Sequence, residues 1–322
     1  MQPLTDTLVV DFTRYLPGAY ASRELGRLGS RVVRVEPPGG DPMRPTATAW
    51  DTALRVGSES VVCDLPDDAA FAQALCARAD VVMESFRPGV ASRLGIGPED
   101  VPDDAVYCSI TGFGDDTTHR LRAGHDVNYL GWSGALEDTA PGLPPIQIAD
   151  LAAGALGALI RILAALLERA RTGTGPRVVV SMTHGSHDLV AHRLGGEPVP
   201  ALLTGGLACY RIYATADGRH VTVGALEPKF FHRLCELVGR PDLADRQYED
   251  DQDALASELT GIFASRHLEA WLDHFGEEDV CVGPVWTRHE AAAAFGSADT
   301  LVEVPLGAHT EAWRRELGLS AS

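Results

Sequence analysis

Residues 7–36, TLVVDFTRYLPGAYASRELGRLGSRVVRVE, decide the fold class. Thr7 to Phe12 is apolar and β-branched, Ala19 to Leu28 has helical spacing, and Arg31 to Glu36 reads as a second strand. Strand, helix and strand in so short a stretch point to α/β architecture with a parallel sheet, because parallel neighbours need a crossover. The first turn is not a dinucleotide fingerprint. Where Gly-x-Gly-x-x-Gly would stand, the chain has Tyr15-Leu16-Pro17-Gly18, and no P-loop or Gly-x-Ser-x-Gly occurs elsewhere.

Outward from this unit the pattern continues. Glu59 to Leu65 reads as a third strand, Ala69 to Ala79 as a helix, and Val81 to Glu84 and Ala105 to Ile110 as further strands, the last running into the turn-rich stretch Thr111 to Asp116. A long helix is expected from Asp150 to about Arg171, then a strand over Pro176 to Met182, which closes a large domain over residues 1–182. Residues 183–206 carry Gly195, Gly196, Pro198, Pro200, Gly205 and Gly206 with little periodicity and read as a linker. Beyond it, Tyr210 to Thr215 and His220 to Gly224 around Asp217-Gly218 read as a hairpin that opens a smaller α+β domain, residues 207–299, mostly helical from Lys229 to about Gly276.

Composition narrows the function classes. The 322 residues are 45% hydrophobic and 22% charged, a globular balance, and 27 Lys and Arg against 45 Asp and Glu give a net charge of −18. A nucleic-acid partner is not expected, and an anionic ligand would have to be held by local cations or helix ends. No basic segment followed by an apolar run opens the chain, so secretion is not expected. Leu151 to Leu167, interrupted by Arg161, reads as a buried helix too short and too charged to cross a membrane. Six scattered cysteines without a Cys-x-x-Cys fit reduced core thiols and a cytoplasmic location.

Three residues stand out chemically. His125 follows Gly124 in Ala-Gly-His-Asp-Val-Asn-Tyr (residues 123–129), where its ring is free to be presented as an acid or base; an ordinary loop histidine is the alternative. Asp150 precedes an almost uncharged helix. It is either an N-cap or a carboxyl in an apolar setting that shuttles a proton beside free first-turn amides, and both can hold at once. Glu227, before Pro228, is a strand terminator or a carboxylate that orients a histidine. His184, His187, Asp188 and His192 lack a third ligand of known geometry, and no metal is expected.

Segments along nearly the whole chain resemble the class III CoA-transferase (CaiB/BaiF) superfamily and, within it, the α-methylacyl-CoA racemases. They include Pro17-Gly18, Leu25 to Glu36, Glu84 to Gly97, Thr111 to Gly114, Ala123 to Tyr129, Ala149-Asp150, Leu166 to Gly175 and Ala214 to Pro228. The resemblance implies a Rossmann-like large domain completed by a C-terminal return, residues 300–322, in an interlocked homodimer. It makes His125 and Asp150 the acid–base pair and Glu227 the carboxylate that holds a partner chain's histidine. Arg34, Arg87, Arg93, Gly124 and Tyr129 fall on the CoA side. Coenzyme A would be part of the substrate, without a prosthetic group.

The chain departs from the family it resembles at Pro37, Ser58 and Glu59, where cations near the nucleotide phosphates are usual, and Glu59 is expected to repel an anion. The loop Asp115-Asp116-Thr117-Thr118 also differs, and the 183–206 linker is short. These changes suit an unusual acyl group, a pantetheine on a carrier protein, or lost activity. The resulting readings are an acyl-CoA racemase, a CoA transferase with Asp150 as nucleophile, and a non-catalytic thioester-binding protein.

Overall fold

Runs such as Leu8-Val9-Val10 and Arg31-Val32-Val33 alternate between two buried faces, as a parallel sheet covered on both sides requires. Val9, Val32, Val81 and Val106 enter one core with Leu25 and Ile162, while Val10, Val33, Val82 and Tyr107 enter the other with Phe71 and Trp313. The computed structural model describes residues 2–195, 202–296 and 302–320. The chain divides into two units, residues 1–192 with 298–322, and residues 193–297.

In the first unit the elements run β1 (Leu8–Asp11), α1 (Tyr15–Arg27), β2 (Arg31–Glu36), α2 (Thr48–Arg55), β3 (Glu59–Val62), α3 (Ala69–Cys76), β4 (Val81–Glu84), β5 (Val106–Thr111), α4 (Asp126–Ser133), α5 (Gly157–Thr172), β6 (Arg177–Ser181) and α6 (Met182–Val190). Among the described residues the sheet has six strands in the order β3-β2-β1-β4-β5-β6, all parallel. The strand order reverses direction between β1 and β4, the switch point of a doubly wound fold, where ligands bind beyond the carboxyl ends of the strands. The Rossmann-like expectation holds.

The expected long helix is present but differs at its start. Residues Ala149–Leu156 wind as a π-helix before α5 takes over. Gly154 fits there because a Cβ would stand 3.1 Å from both Met182 and Pro17, so α1 and the end of β6 come close. Asp150 is therefore not an N-cap. Its N–H donates to Asp126 Oδ1 at 2.9 Å and that of Leu151 to Gln147 O at 2.9 Å, so these two amides are not free for an oxyanion. The combined helix, Ala149–Thr172, is by length and apolar composition long enough to cross a membrane, which corrects the reading that the run is too short. Ala149, Ala155, Ala158, Ile162 and Ala165 on it are buried in the first core.

The expected linker also begins too early. Met182–Val190 is helical because Ser181 caps it, accepting from His184 N–H at 3.2 Å. It packs on the first unit, where a Cβ on Gly185 would lie 2.8 Å from Ala153 and His187 Nδ1 lies 3.1 Å from Ser133 O. Residues 196–201 of that linker fall outside the described residues. The C-terminal segment covers the edge strand β3. Ser60 N–H donates to His309 Nδ1 at 3.1 Å, Val62 N–H to Thr310 Oγ1 at 2.9 Å, and Trp313 of the C-terminal helix Thr310–Glu316 is fully buried. A covered edge offers no template for aggregation.

The second unit holds the hairpin β7 (Tyr210–Ala214) and β8 (His220–Gly224), helices α7 (Pro228–Leu237), α8 (Gln252–Phe263) and α9 (Leu268–Phe275), strand β9 (Val282–Pro284) and α10 (Arg288–Phe295), α11 being Thr310–Glu316 in the first unit. Its sheet is antiparallel, ordered β7-β8-β9. Phe231, Leu234, Leu259, Phe263 and Trp271 fill its core. Five cysteines are buried and free, whereas Cys281 is exposed, an exception to the expected core thiols.

Candidate active site

A cleft of about 310 Å³ opens at the switch point. The loops after β1 and β4 give it Arg14, Tyr15, Ser85 and Arg87, the loop after β5 gives Gly112, Arg120 and Arg122, and His125, Tyr129 and Asp150 complete its lining. Two glycines shape it. A Cβ on Gly112 or Gly124 would stand 2.5 or 2.7 Å from the Tyr129 ring, so the ring sits between two loops that only glycine lets approach. The buried Tyr129 donates its hydroxyl to Gly124 O, fixing the residue before His125.

His125 is the N-cap of α4, and its N–H donates to Asn128 Oδ1 at 3.0 Å. The Tyr15 ring meets its ring edge-on, with centroids 5.9 Å apart at 87°. Through Asp126, the same helix start holds the Asp150 backbone. The amides of Asp126 and Val127, in the first turn of α4, have no partner among the described residues. Burial, followed by the nearby Asp126 charge, pushes the Asp150 carboxyl up to about 7. Among the described residues no side chain hydrogen-bonds to that carboxyl. It is held in a protonatable state at neutral pH, as an acid–base residue needs.

The cleft is cationic in an acidic protein. Arg14 is committed to the carbonyls of Phe12, Thr13 and Val35. Arg122 bonds His119 Nδ1 at 3.1 Å and lies over the Trp132 ring. The side chains of Arg87 and Arg120 have no hydrogen-bond or ion partner among the described residues. Of the residues the sequence pointed to, the structure brings His125, Asp150, Arg87, Gly124 and Tyr129 to this cleft. Arg93 is exposed at the end of a helical turn after Gly89 and does not line it.

Arg34 is a correction. It is 1% exposed, and its guanidinium donates to Asp11 Oδ2 at 2.9 Å and meets Asp41 Oδ2 at 3.4 Å, so it has no path to a phosphate. Glu59 is another. Arg31 grips its carboxylate at 2.8 and 3.1 Å and Trp313 Nε1 donates to it, so its charge is neutralised locally rather than turned on an anion. Glu227 belongs to the second unit, where it stands exposed at the N-cap position of α7 ahead of Pro228, its side chain making no capping bond.

Sequence reading missed Arg14, Tyr15, Arg120 and Arg122 as cleft residues. The clustering of arginines around Ala123-Gly124-His125 is a signal that charge patterning could have found, whereas nothing in the sequence announces Tyr15. Among the described residues no cluster of His, Cys, Asp and Glu could hold a metal.

A doubly wound sheet with an unpaired carboxyl and a histidine at its switch point defines a small-molecule enzyme of the acid–base or group-transfer kind. The profile of CoA-transferase family III matches residues 4–317, and the chain belongs to that family of enzymes. Human alpha-methylacyl-CoA racemase is 34% identical over 303 residues, spanning 88% of this chain and 77% of the relative. Acetyl-CoA:oxalate CoA-transferase of Acetobacter aceti is 30% identical over 322 residues, 90% and 82% of the two chains. A CaiB/BaiF family protein from Brucella suis superposes with a TM-score of 0.83 at 26% identity, covering 98% of this chain and 99% of that one.

Proposed function

We propose that the protein is an acyl-CoA racemase or epimerase that inverts the carbon next to a thioester, with coenzyme A as part of the substrate and no prosthetic group. The thioester carbonyl acidifies the α C–H. His125 takes that proton from one face, and protonated Asp150 returns one to the other, with roles exchanged for the opposite enantiomer. The enolate oxygen formed between the steps would be met by the free first-turn amides of Asp126 and Val127 rather than by amides beside Asp150. Arg87 and Arg120 are the available cations for the anionic handle. Glu227 would orient the histidine of a partner chain.

The observation that carries this reading is the Asp150 carboxyl, raised to about 7 and without a hydrogen-bonding side chain among the described residues. A proton donor benefits from such burial. A nucleophile would instead pay to ionise there, which argues against the transferase route, although relatives of both kinds resemble the chain. A single-enantiomer 2-methylacyl-CoA incubated in heavy water should gain deuterium at the α carbon and lose optical purity. Absence of exchange across a panel of acyl-CoA esters, with an Asp150 adduct found by intact mass, would transfer the site to the CoA-transferase reading.

A further inference from the structure

Tyr15 adopts a conformation that its side chain disfavours. Its φ is +63°, in the left-handed region that bulky residues rarely enter. It is also 48% exposed, so it does not owe this place to filling a core. What its ring does touch is His125, edge-on, at 5.9 Å between centroids.

The surroundings impose the strain. Tyr15 N–H donates to Asp41 Oδ2 at 3.2 Å, and Asp41 is itself locked: its Oδ1 accepts from Met43 N–H at 2.9 Å and its own N–H donates to Glu36 Oε1 at 3.1 Å. Arg34 spans the gap behind, meeting Asp41 Oδ2 at 3.4 Å, Asp11 Oδ2 at 2.9 Å and Ser22 Oγ at 3.3 Å. Asp11 in turn accepts from Thr13 N–H at 2.8 Å. On the other side of Tyr15, Gly18 in α1 packs so tightly on Thr13 that a Cβ there would come within 1.9 Å of Thr13 Oγ1, so the start of α1 sits close against the turn. Arg34, Asp41 and Asp11 are all buried, 1% exposed or less. A strained residue persists only where its neighbours over-determine it, and such residues gather at functional sites.

We infer that the buried Asp11–Arg34–Asp41 chain is a strut that holds Tyr15 against the His125 ring, which makes Tyr15 a positioning residue for His125. The inference deepens the proton-transfer reading above and rests on it for its kinetic consequence alone. The ring edge does the positioning, so the phenol hydroxyl is dispensable. Arg34 thus acts on the site from behind, through Asp41, and not through a phosphate.

The test uses the full chain and three variants, Tyr15→Phe, Tyr15→Ala and Asp41→Asn, with Tyr15→Gly as a second route to ring loss because glycine takes a positive φ without strain. The first readout is the His125 ring C2–H resonance in the free protein, assigned by its loss in His125→Gln. The second is α-deuterium exchange. Tyr15→Ala, Tyr15→Gly and Asp41→Asn should each shift the resonance and lower kcat on the order of 10- to 100-fold, with KM changed by about twofold at most. Tyr15→Phe, which keeps the ring, should hold the His125 resonance at the parent's position and retain more kcat than either ring-loss variant. An unmoved His125 resonance in Tyr15→Ala and Tyr15→Gly overturns the inference, and an unmoved resonance in folded Asp41→Asn removes the strut from it. If no acyl-CoA exchanges with the parent protein, the proton-transfer reading fails while the resonance still decides the strut.

Discussion

Two carboxyls at the carboxyl edge of one sheet have opposite fates. At the end of β2, burial pushes the Glu36 carboxyl up, but hydrogen bonds from Arg44 and Ser60 and the charge of Arg55 outweigh it and hold it at about 2. At the start of the π-helix, burial acts on Asp150 with no compensating donor among the described residues, and Asp126 adds a like charge, so that carboxyl rises to about 7. Burial is common to both. What separates a structural anion from a proton carrier here is whether the sequence also supplies cations, and beside Glu36 it supplies Arg44 at 2.8 Å and Arg55 at 3.1 Å.

The largest effect should come from removing the proton carrier. Asp150→Asn keeps size and loses the titrating group, and exchange at the α carbon should fall about 10²- to 10⁴-fold, measured as deuterium uptake under saturating substrate. Exchange within threefold of the parent, an order-of-magnitude bound set against that range, would put the chemistry elsewhere.

Glu36→Gln tests the other member of the pair. It leaves the buried Arg55 and the half-buried Arg44 beside a neutral amide and should destabilise the fold by about 3 kcal/mol at pH 7 in urea melts. The direction with pH follows from the depressed value. The contribution of Glu36 is present above its unfolded value near 4.5 and is lost as pH falls towards about 2, so parent and variant should converge in acid. A constant gap down to pH 2 would mean that lost packing, not charge, set the difference.

Asp150 should show the reverse. Its folded value, about 7, lies above the ordinary 3.8, so ionisation costs stability as pH rises from 4 through 7, and the full penalty stands above 7. Asp150→Asn should therefore be neutral near pH 4 and stabilising by about 2 kcal/mol at pH 8. A variant that loses activity and gains stability only in alkali is the signature of a site held against its own ionisation. A pH-independent change in melting temperature would refute it.

The same contrast explains what the sequence reveals. Strands β1, β2 and β4 were legible because burial on both faces leaves runs such as Val81-Val82-Met83 almost free of charge. Helix α2 escaped notice because Asp51 and Arg55, which look solvent-facing in sequence, are buried together at 2.5 Å. Arg34, which the family resemblance placed on the CoA side, belongs instead to Asp11 and Asp41, partners distant in sequence that only the fold brings around it. His125 and Asp150 could be named from residue type, spacing and family resemblance. The π-helical start that removes Asp150 from the N-cap position could not, because it depends on the close packing of Gly154 and Gly185, and neither could the strained φ of Tyr15.

The smallest effect concerns a third carboxylate, Glu59, which separates charge that acts at a distance from charge that is spent locally. Read as a sequence, it stands where a cation would be expected and should repel a nucleotide. In the fold it is satisfied by Arg31 and Trp313, and Arg31 also meets Glu316 at 3.1 Å. Because the Arg31 side chain is 43% exposed, this pairing should contribute at most about 1 kcal/mol. Glu59→Gln keeps an acceptor for Trp313, so stability should fall by less than about 1 kcal/mol and the KM for acyl-CoA should stay the same within about twofold. A KM that drops tenfold or more, equivalent to about 1.4 kcal/mol of relieved repulsion, would show that Arg31 does not quench Glu59. The phosphates would then have to pass close to β3, on the far side of the sheet from Arg120.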